Sequence, residues 1–405
     1  MQTSTSPLAR ALAVVDVPLG PDVLSRVFPA VHAALSGGPP LLPVPHQPEP
    51  VRAALLAGMQ PDLPVEAVDD DVVALVVPTS GSTGEPKGVL LGAAAIAASA
   101  NAAHSRLGGP GRWLLALPGT HVAGLMVLAR SVVAGTEPAA VDLTGGFTAD
   151  EFATATSRFL RRPAARRYTA LVPYQLAVLL DAGGAAVDAL IAFDAVLVGG
   201  SSAPPELLDR ARAVGVHVIT TYGMTETCGG CVYDGVPLDR VRVELVDNGR
   251  IKLAGPVLAH GYRLQPGLTA QAFIAGWFTT SDLGRLDADG RLTVIGRLDD
   301  VAVTGGVNVP LPAVDALIAT HPGVADVATV ALPDPLWGER VVAVVVPREP
   351  SNPPTLAAIR LHLTRHAPTA HLPKELALVR SLPKLPNGKV DRRAVANHLL
   401  ETTPS

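Results

Sequence analysis

The sequence predicts an α/β chain, with a large layered N-terminal domain over residues 1–298 and a smaller α+β domain over 299–405. Short β-branched runs alternate with helix-forming stretches from residue 72 onward, the pattern of layered α/β architectures. Thirty-eight Gly and 38 Pro imply many tight connections between short elements. A second compositional unit begins near Asp299, and about a hundred residues with strands and helices of their own suffice for a small domain.

Residues 36–64 are rich in Pro and Gly (Ser36-Gly37-Gly38-Pro39-Pro40, then Pro43, Pro45, Pro48 and Pro50) and read as loop. Residues 72–77 (VVALVV) form a short buried strand that feeds a Gly-rich loop. The Ala-rich stretch 93–103 is a helix. Residues 113–117, 195–198 and 216–219 are further strands, and 173–180 and 204–214 further helices. In the second unit 341–346 (VVAVVV) is a strand, 347–354 a Pro-rich loop and 356–365 a helix, followed by a polar tail.

Apolar residues make up 48% and aromatics 4%, so disorder is excluded and Ala, Val and Leu must build the core. A formal charge of −4 gives no electrostatic case for nucleic acid or an anionic membrane. Residues 1–20 lack a basic segment followed by an apolar one, and the apolar stretch 88–100 is too short to span a bilayer. A soluble cytoplasmic protein is the expectation, with neither membrane insertion nor nucleic acid among its partners. Cys228 and Cys231 are the two cysteines, so no disulfide framework holds the chain. Their CxxC spacing lacks the further ligands a zinc site needs. Arg161, Arg162, Arg166 and Arg167 read as a solvated surface, with contact to nucleotide phosphates as the alternative.

The loop Thr79-Ser80-Gly81-Ser82-Thr83-Gly84-Glu85-Pro86-Lys87-Gly88 outlines a Walker A motif but fails it. Counting from Gly81, Pro86 falls where the second Gly is needed and Gly88 where the Ser/Thr is needed. What remains is a hydroxyl- and Gly-rich loop whose amides and side chains would wrap polyphosphate, with Lys87 supplying charge.

Four further motifs follow in order: Tyr222-Gly223-Met224-Thr225-Glu226; Ser281-Asp282-Leu283-Gly284; Gly296-Arg297-Leu298-Asp299-Asp300 with Thr304-Gly305-Gly306-Val307-Asn308; and Pro383-Lys384-Leu385-Pro386-Asn387-Gly388-Lys389-Val390-Asp391. Over roughly residues 70–395 the chain resembles the adenylate-forming superfamily of acyl-CoA synthetases, luciferases and peptide-synthetase adenylation domains. The resemblance implies a two-domain fold, an adenylation domain to residue 298 and a mobile C-terminal domain carrying a catalytic lysine. It implies ATP and CoA as co-substrates, Mg2+ as cofactor, and admits a homodimer. Tyr222 would stack on adenine, with Gly223 beside it in the ATP site and Gly199-Gly200-Ser201-Ser202-Ala203 passing along the base. Thr225 would contact the α-phosphate, Glu226 would ligate Mg2+, and Asp282 would hold the ribose with help from Arg297. Asp299 matches the hinge, Lys389 the lysine that enters the adenylation site, and Gly305 and Gly306 a narrow thiol tunnel. No carrier domain is fused, which favours free CoA as acceptor. The chemistry fits these residue types, because a carboxylate attacking a phosphate brings two anions together and cations must offset the charge.

His121-Val122-Ala123-Gly124 occupies the position that lines the acyl pocket in that superfamily, and Gly229 and Gly230 would form a close wall of the pocket. Residues 125–134 read as an apolar helix interrupted by Arg130, whose helical neighbours Met126, Val127, Val133 and Ala134 offer no counter-charge. A guanidinium there needs an anion. A second carboxylate on the substrate is one candidate; escape to water or a distant Asp or Glu is the other. His-x-x-Gly with an Arg nine residues after the His, the Gly305-Gly306-Val307-Asn308 turn and the compact N-terminal region resemble o-succinylbenzoate–CoA ligases of menaquinone biosynthesis. A ligase for another aryl or medium-chain acid, and a nucleotide-binding protein without catalysis, stand as alternatives. The first seventy residues match no motif.

Overall fold

The computed structural model describes residues 10–65, 68, 71–80, 86–246, 249–364, 367–384 and 390–402, with the backbone alone for Ser80, Asp299, Asn308 and Thr402. The chain opens with β1 (Ala13–Val17), α1 (Val23–Leu35), β2 (Leu41–Pro45) and α2 (Glu49–Met59). The expected loop over 36–64 is therefore wrong for two elements. Leu41, Leu42 and Val44 are exposed by 1% or less, and that burial outweighs the donors Pro43 and Pro45 lack in a strand paired with β1. Pro50 stands in the first turn of α2, where no N–H partner is lost.

Next come β3 (Val73–Ser80), β4 (Pro86–Gly92), α3 (Ala93–Arg106), β5 (Arg112–Leu115), α4 (Val122–Val133), β6 (Ala139–Ala140), α5 (Ala149–Leu160) and β7 (Arg167–Leu171). They lead to α6 (Pro173–Ala182), α7 (Gly184–Ile191), β8 (Ala195–Val198), α8 (Pro205–Ala213) and β9 (Val218–Met224). After a 3-10 turn (Thr225–Thr227) the chain forms β10 (Gly229–Tyr233), β11 (Val236–Pro237), β12 (Arg242–Val246), β13 (Arg250–Ala254) and β14 (Gly261–Tyr262). Then follow α9 (Pro266–Ala272), β15 (Phe273–Ile274), β16 (Trp277–Leu286), β17 (Leu292–Arg297) and a 3-10 turn (Leu298–Asp300). The remainder is β18 (Val301–Thr304), β19 (Val307–Pro310), α10 (Leu311–Ala319), β20 (Val324–Asp334), β21 (Gly338–Pro347), α11 (Leu356–Leu363), β22 (Glu375–Leu378) and α12 (Arg392–Thr402).

Two compact units result: one of Met1–Glu244, Lys252–Thr279 and Asp287–Leu292, the other of Leu245–Ile251, Thr280–Leu286 and Thr293–Ser405, each through its described residues. The first unit holds a five-stranded sheet ordered β1-β2-β3-β4-β14 and a seven-stranded sheet ordered β11-β10-β9-β8-β7-β5-β6. Strands β5, β7, β8 and β9 are mutually parallel, and Phe152, Phe159, Leu176, Leu179 and Leu190 cover them from α5, α6 and α7. Helices on a mostly parallel sheet are the α/β architecture the alternating pattern predicts. Strands β12, β13, β15 and β16, with β17 on β16, form a further sheet.

β14 is tied down beyond its two-residue ladder with β4. Arg263, 5% exposed, donates from its side chain to the carbonyls of Met59 (2.6 Å), Gln60 (2.8 Å) and Leu63 (2.5 Å) at the end of α2.

In the second unit the sheet runs β19-β18-β21-β20 with β22 on β21. β21 alternates faces: Val341, Ala343 and Val345 pack with Val314, Ile318 and Ile359, while Val342 and Val344 pack with Val330, Val395 and Leu399. A strand covered on both sides reads as an unbroken apolar run, as 341–346 does. The expected polar tail is corrected here. β22 pairs with β21 from Val342↔Glu375 to Val345↔Leu378, and α12 buries Val395 and Leu399, one turn apart. No described helix is long and apolar enough to cross a membrane.

Candidate active site

β3 and β4 face each other antiparallel with Thr79 opposite Lys87, and the Thr79 hydroxyl donates to the Lys87 carbonyl at 3.3 Å. Ser80 ends β3. Gly81, Ser82, Thr83 and Gly84 lie outside the described residues. Gly88 is closely confined: a Cβ would stand 2.7 Å from Met59 Sδ and 3.0 Å from Val76 Cγ1, so those side chains would have to shift to admit one.

Glu226 lies in the tight turn that ends β9. Within the turn the Met224 amide donates to Thr227 Oγ1 (3.0 Å), and that hydroxyl donates to the Gly229 carbonyl (2.7 Å). Cys228 closes it in the left-handed region, φ 51°. Strands β9 and β10 then run unusually close: a Cβ on Gly223 would lie 2.1 Å from the Gly229 carbonyl oxygen. Thr225 is 8% and Glu226 7% exposed. Lys87 Nζ stands 3.3 Å from Glu226 Oε1 and 4.2 Å from the centre of the Tyr262 ring. The Tyr262 hydroxyl donates to the same Oε1 at 2.9 Å. Tyr222 is half-buried on β9, Ser201 is exposed, and Gly200 takes φ +80° beside Val172.

α4 starts at His121, an exposed N-cap residue, and packs Met126 against Gly229, where an added Cβ would meet Met126 Cγ at 3.3 Å. Gly230 is equally confined, by Thr221 Cβ at 3.0 Å and the Tyr233 ring at 3.2 Å. Arg130 shares the face of Met126 one turn on. It lies half a turn round the helix from His121 and about 13 Å further along its axis, so these two residues do not sit side by side. Arg130 is 3% exposed, which rules out escape to water. Its guanidinium carbon lies 5.1 Å from the centre of the Trp113 indole, Nη2 donates to the Tyr233 hydroxyl at 3.4 Å, and Nε is buried without a partner. No Asp or Glu among the described residues forms an ion pair with it.

His104 lies behind this group. It accepts from Trp113 Nε1 at 3.3 Å and is 4% exposed. Burial, helped by the Arg130 charge, lowers its pKa to about 4, so the ring is neutral and an acceptor. Cys228 and Cys231 are both free and buried. Burial pushes both thiols up, that of Cys231 to about 12. No group of three or more His, Cys, Asp or Glu suited to a metal occurs among the described residues. Arg161 and Arg162 are exposed, and Arg162 pairs with Glu137.

In the second unit, Asp282 on β16 and Arg297 on β17 approach to 3.9 Å, with Asp282 the more buried. The Asp282 amide donates to Thr280 Oγ1 at 2.9 Å, which fixes the strand at that position. Asp299 falls in the turn Leu298–Asp300, and Lys389 lies outside the described residues. Gly305 and Gly306 join β18 to β19 with φ +57° and +77°. A two-residue hairpin of that geometry needs positive φ at both positions, which Gly-Gly, like Asn-Gly or Asp-Gly, supplies, so the turn by itself accounts for them. A Cβ on Gly305 would meet the Trp337 ring at 2.7 Å, whereas Gly306 faces open space.

The motifs thus converge in part. Thr79, Lys87, Gly223, Thr225, Glu226, Gly229 and Gly230 come together in one unit, and Asp282 with Arg297 in the other. Sequence reasoning missed Tyr262, Trp113, His104 and Tyr233. None is marked by local pattern, because each acquires its role from a neighbour distant in the chain.

The chain matches the AMP-binding enzyme family over residues 28–262 and the AMP-binding enzyme C-terminal domain over 313–389. The match begins well before residue 70, although those residues carry no motif. A protein named probable 2-succinylbenzoate–CoA ligase from Mycobacterium tuberculosis is 47% identical over 389 residues, 95% of this chain and 97% of that one. A sulfoacetate–CoA ligase of Cupriavidus necator is 33% identical over 89% of this chain and 71% of its own. The fold matches o-succinylbenzoate CoA synthetase (MenE) of Bacillus subtilis in complex with the acyl-adenylate OSB-AMP, at TM-score 0.81 and 23% identity, over 97% of this chain and 89% of that one. The chain belongs to the AMP-binding enzyme family.

Proposed function

We propose that this chain is an ATP-dependent carboxylate–CoA ligase: acid and ATP give acyl-AMP and pyrophosphate, and CoA then takes the acyl group as a thioester. Its acid on this reading is 2-succinylbenzoate, in menaquinone biosynthesis. The observation that carries the substrate is Arg130, a buried guanidinium with a free Nε and no acidic partner among the described residues. Such a charge is costly unless an anion arrives to meet it. Arg130 lies one helical turn, about 6 Å, beyond the Met126–Gly229 contact. A long acid could therefore keep its succinyl carboxylate beside Thr225 and bring its ring carboxylate to Arg130. The likeness to the 2-succinylbenzoate–CoA ligase supports the same acid.

The remaining roles follow from this. The loop of Thr79, Ser80, Gly81, Ser82, Thr83, Gly84 and Lys87 holds the pyrophosphate side; Gly200, Ser201, Tyr222 and Gly223 hold adenine; Asp282 and Arg297 hold ribose. Thr225 positions the α-phosphate, and His121, Gly229 and Gly230 line the acyl side. Residues 1–298 act as the adenylation domain, and 299–405 as the mobile domain that turns at Asp299. Rotation withdraws Lys389 and brings up the Gly305-Gly306 turn for CoA. One carboxylate, Glu226, with substrate phosphates completing the shell suits Mg2+, which seldom occupies an all-protein cage. When bound, Mg2+ offsets the charge that accumulates as two anions meet. The cytoplasm supplies ATP and CoA.

The test is AMP release over a panel of carboxylates, with and without CoA. Preference for 2-succinylbenzoate, with thioester formed only when CoA is present, is expected. Equal rates with benzoate or octanoate would refute the substrate and favour a ligase for another aryl or medium-chain acid. ATP binding without acyl-AMP from any acid would refute the activity.

A further inference from the structure

Lys87, Glu226 and Tyr262 form a closed triangle drawn from β4, the turn after β9, and β14. One ammonium meets one carboxylate oxygen at 3.3 Å, that oxygen accepts a phenol hydrogen at 2.9 Å, and the phenol ring seats the ammonium at 4.2 Å. Tyr262 is itself held. Its amide donates to Thr269 Oγ1 at 2.9 Å, Phe273 packs edge-on at 5.8 Å, and the ladder to β4 fixes its backbone opposite Val89. The seat for the Lys87 ammonium is thus built from a rigid aromatic face and a fixed carboxylate, not from a chance meeting of two mobile chains.

We infer that Lys87 is the resident counter-ion of Glu226 in the nucleotide-free enzyme, and that it is exchanged onto the polyphosphate when the metal–nucleotide complex enters. This rests on the reading of Glu226 as the metal ligand. A divalent cation and the ammonium compete for the same carboxylate, and like charges so close repel strongly. While Lys87 occupies the seat, free divalent cations are held off. The arriving triphosphate supplies what the exchange needs: a metal for Glu226, and phosphate oxygens that accept charge-assisted bonds from Lys87. Tyr262 acts as a positioning residue in both states, since its hydroxyl holds Oε1 while Oε2 takes no hydrogen bond among the described residues.

The probe is Mn2+ alone, added to the full chain without nucleotide and followed by the electron paramagnetic resonance signal of the free ion. Lys87→Gln should bind Mn2+ about fivefold or more tightly than the parent, and Lys87→Arg, which keeps the charge, should stay within about twofold of the parent on the same scale. Adding Glu226→Gln to Lys87→Gln should abolish the gain. Unchanged Mn2+ binding in Lys87→Gln overturns the inference, as does a gain that survives loss of Glu226. A separate arm measures Mn2+·ATP binding to Glu226→Gln. If that is undiminished, the metal-ligand reading itself fails; if it weakens while Lys87→Gln shows no gain, the counter-ion inference alone fails.

Discussion

Arg130→Met separates a binding role from a structural one because the two predict opposite signs. Methionine keeps much of the side-chain length and removes the charge. In the substrate-free chain the variant loses the stacking on Trp113, worth about 0.5–2 kcal/mol. It also loses the 3.4 Å contact to Tyr233, worth at most about 1 kcal/mol at that length. Against this, a guanidinium 3% exposed with no acidic partner carries a desolvation cost of about several kcal/mol, which methionine removes. Denaturant unfolding without ligand should therefore show stability unchanged or raised by up to about 2 kcal/mol. Catalysis should move the other way. Losing a charge-assisted grip on a carboxylate costs about 2–4 kcal/mol, a fall of about 30- to 1000-fold in kcat/KM for 2-succinylbenzoate. The comparison substrate is 4-oxo-4-phenylbutanoate, which lacks the ring carboxylate and should be almost indifferent to the change. A variant that loses more than about 2 kcal/mol of stability while its preference between the two acids is unaltered would refute the reasoning and make Arg130 a structural residue.

His104 has a folded pKa near 4 against 6.5 ordinarily. The unfolded chain therefore takes up a proton first as pH falls, and stability should drop from pH 6.5 down to 4, by up to about 3 kcal/mol from this residue. His104→Gln should flatten that slope in denaturant titrations run across the range. Gly223→Ala would place a Cβ 2.1 Å from the Gly229 carbonyl. It should cost about 1–3 kcal/mol or more of stability and weaken ATP binding measured by calorimetry. Cys228 and Cys231, buried with thiols pushed far up, should resist a disulfide reagent in the native chain and react fully once it is unfolded; prompt native labelling would contradict their burial.

Elements with a single strong local signal were legible. The run 195–198 is β8 residue for residue, and 173–180 lies within α6. Proline misled at 36–64, because β2 and α2 place their prolines where burial or a helix start tolerates them. The polar tail misled because two buried residues one turn apart, Val395 and Leu399, are enough to dock α12. At the site, Gly229 and Gly230 of β10 were read as a wall, while the close approach of Gly223 on β9 to the Gly229 carbonyl shows only in the structure. Arg130 was legible as a charge out of place. Its stack on Trp113, and the His104 beneath, depend on α3 and β5 meeting α4 in space, which no spacing along the chain encodes.

The anchoring of Arg263 has a consequence for how small such an enzyme can become. The residue after Tyr262 is clamped by three carbonyls contributed by residues 59–63, so the motif-free start of the chain supports the phenol that fixes Glu226. The residues before it are not spare length either, since Val27, Val31, Leu41, Leu42 and Val44 are buried in the core. Loss of residues 59–63 would free Arg263 and register at the Glu226 carboxylate, many residues downstream, with no catalytic side chain touched.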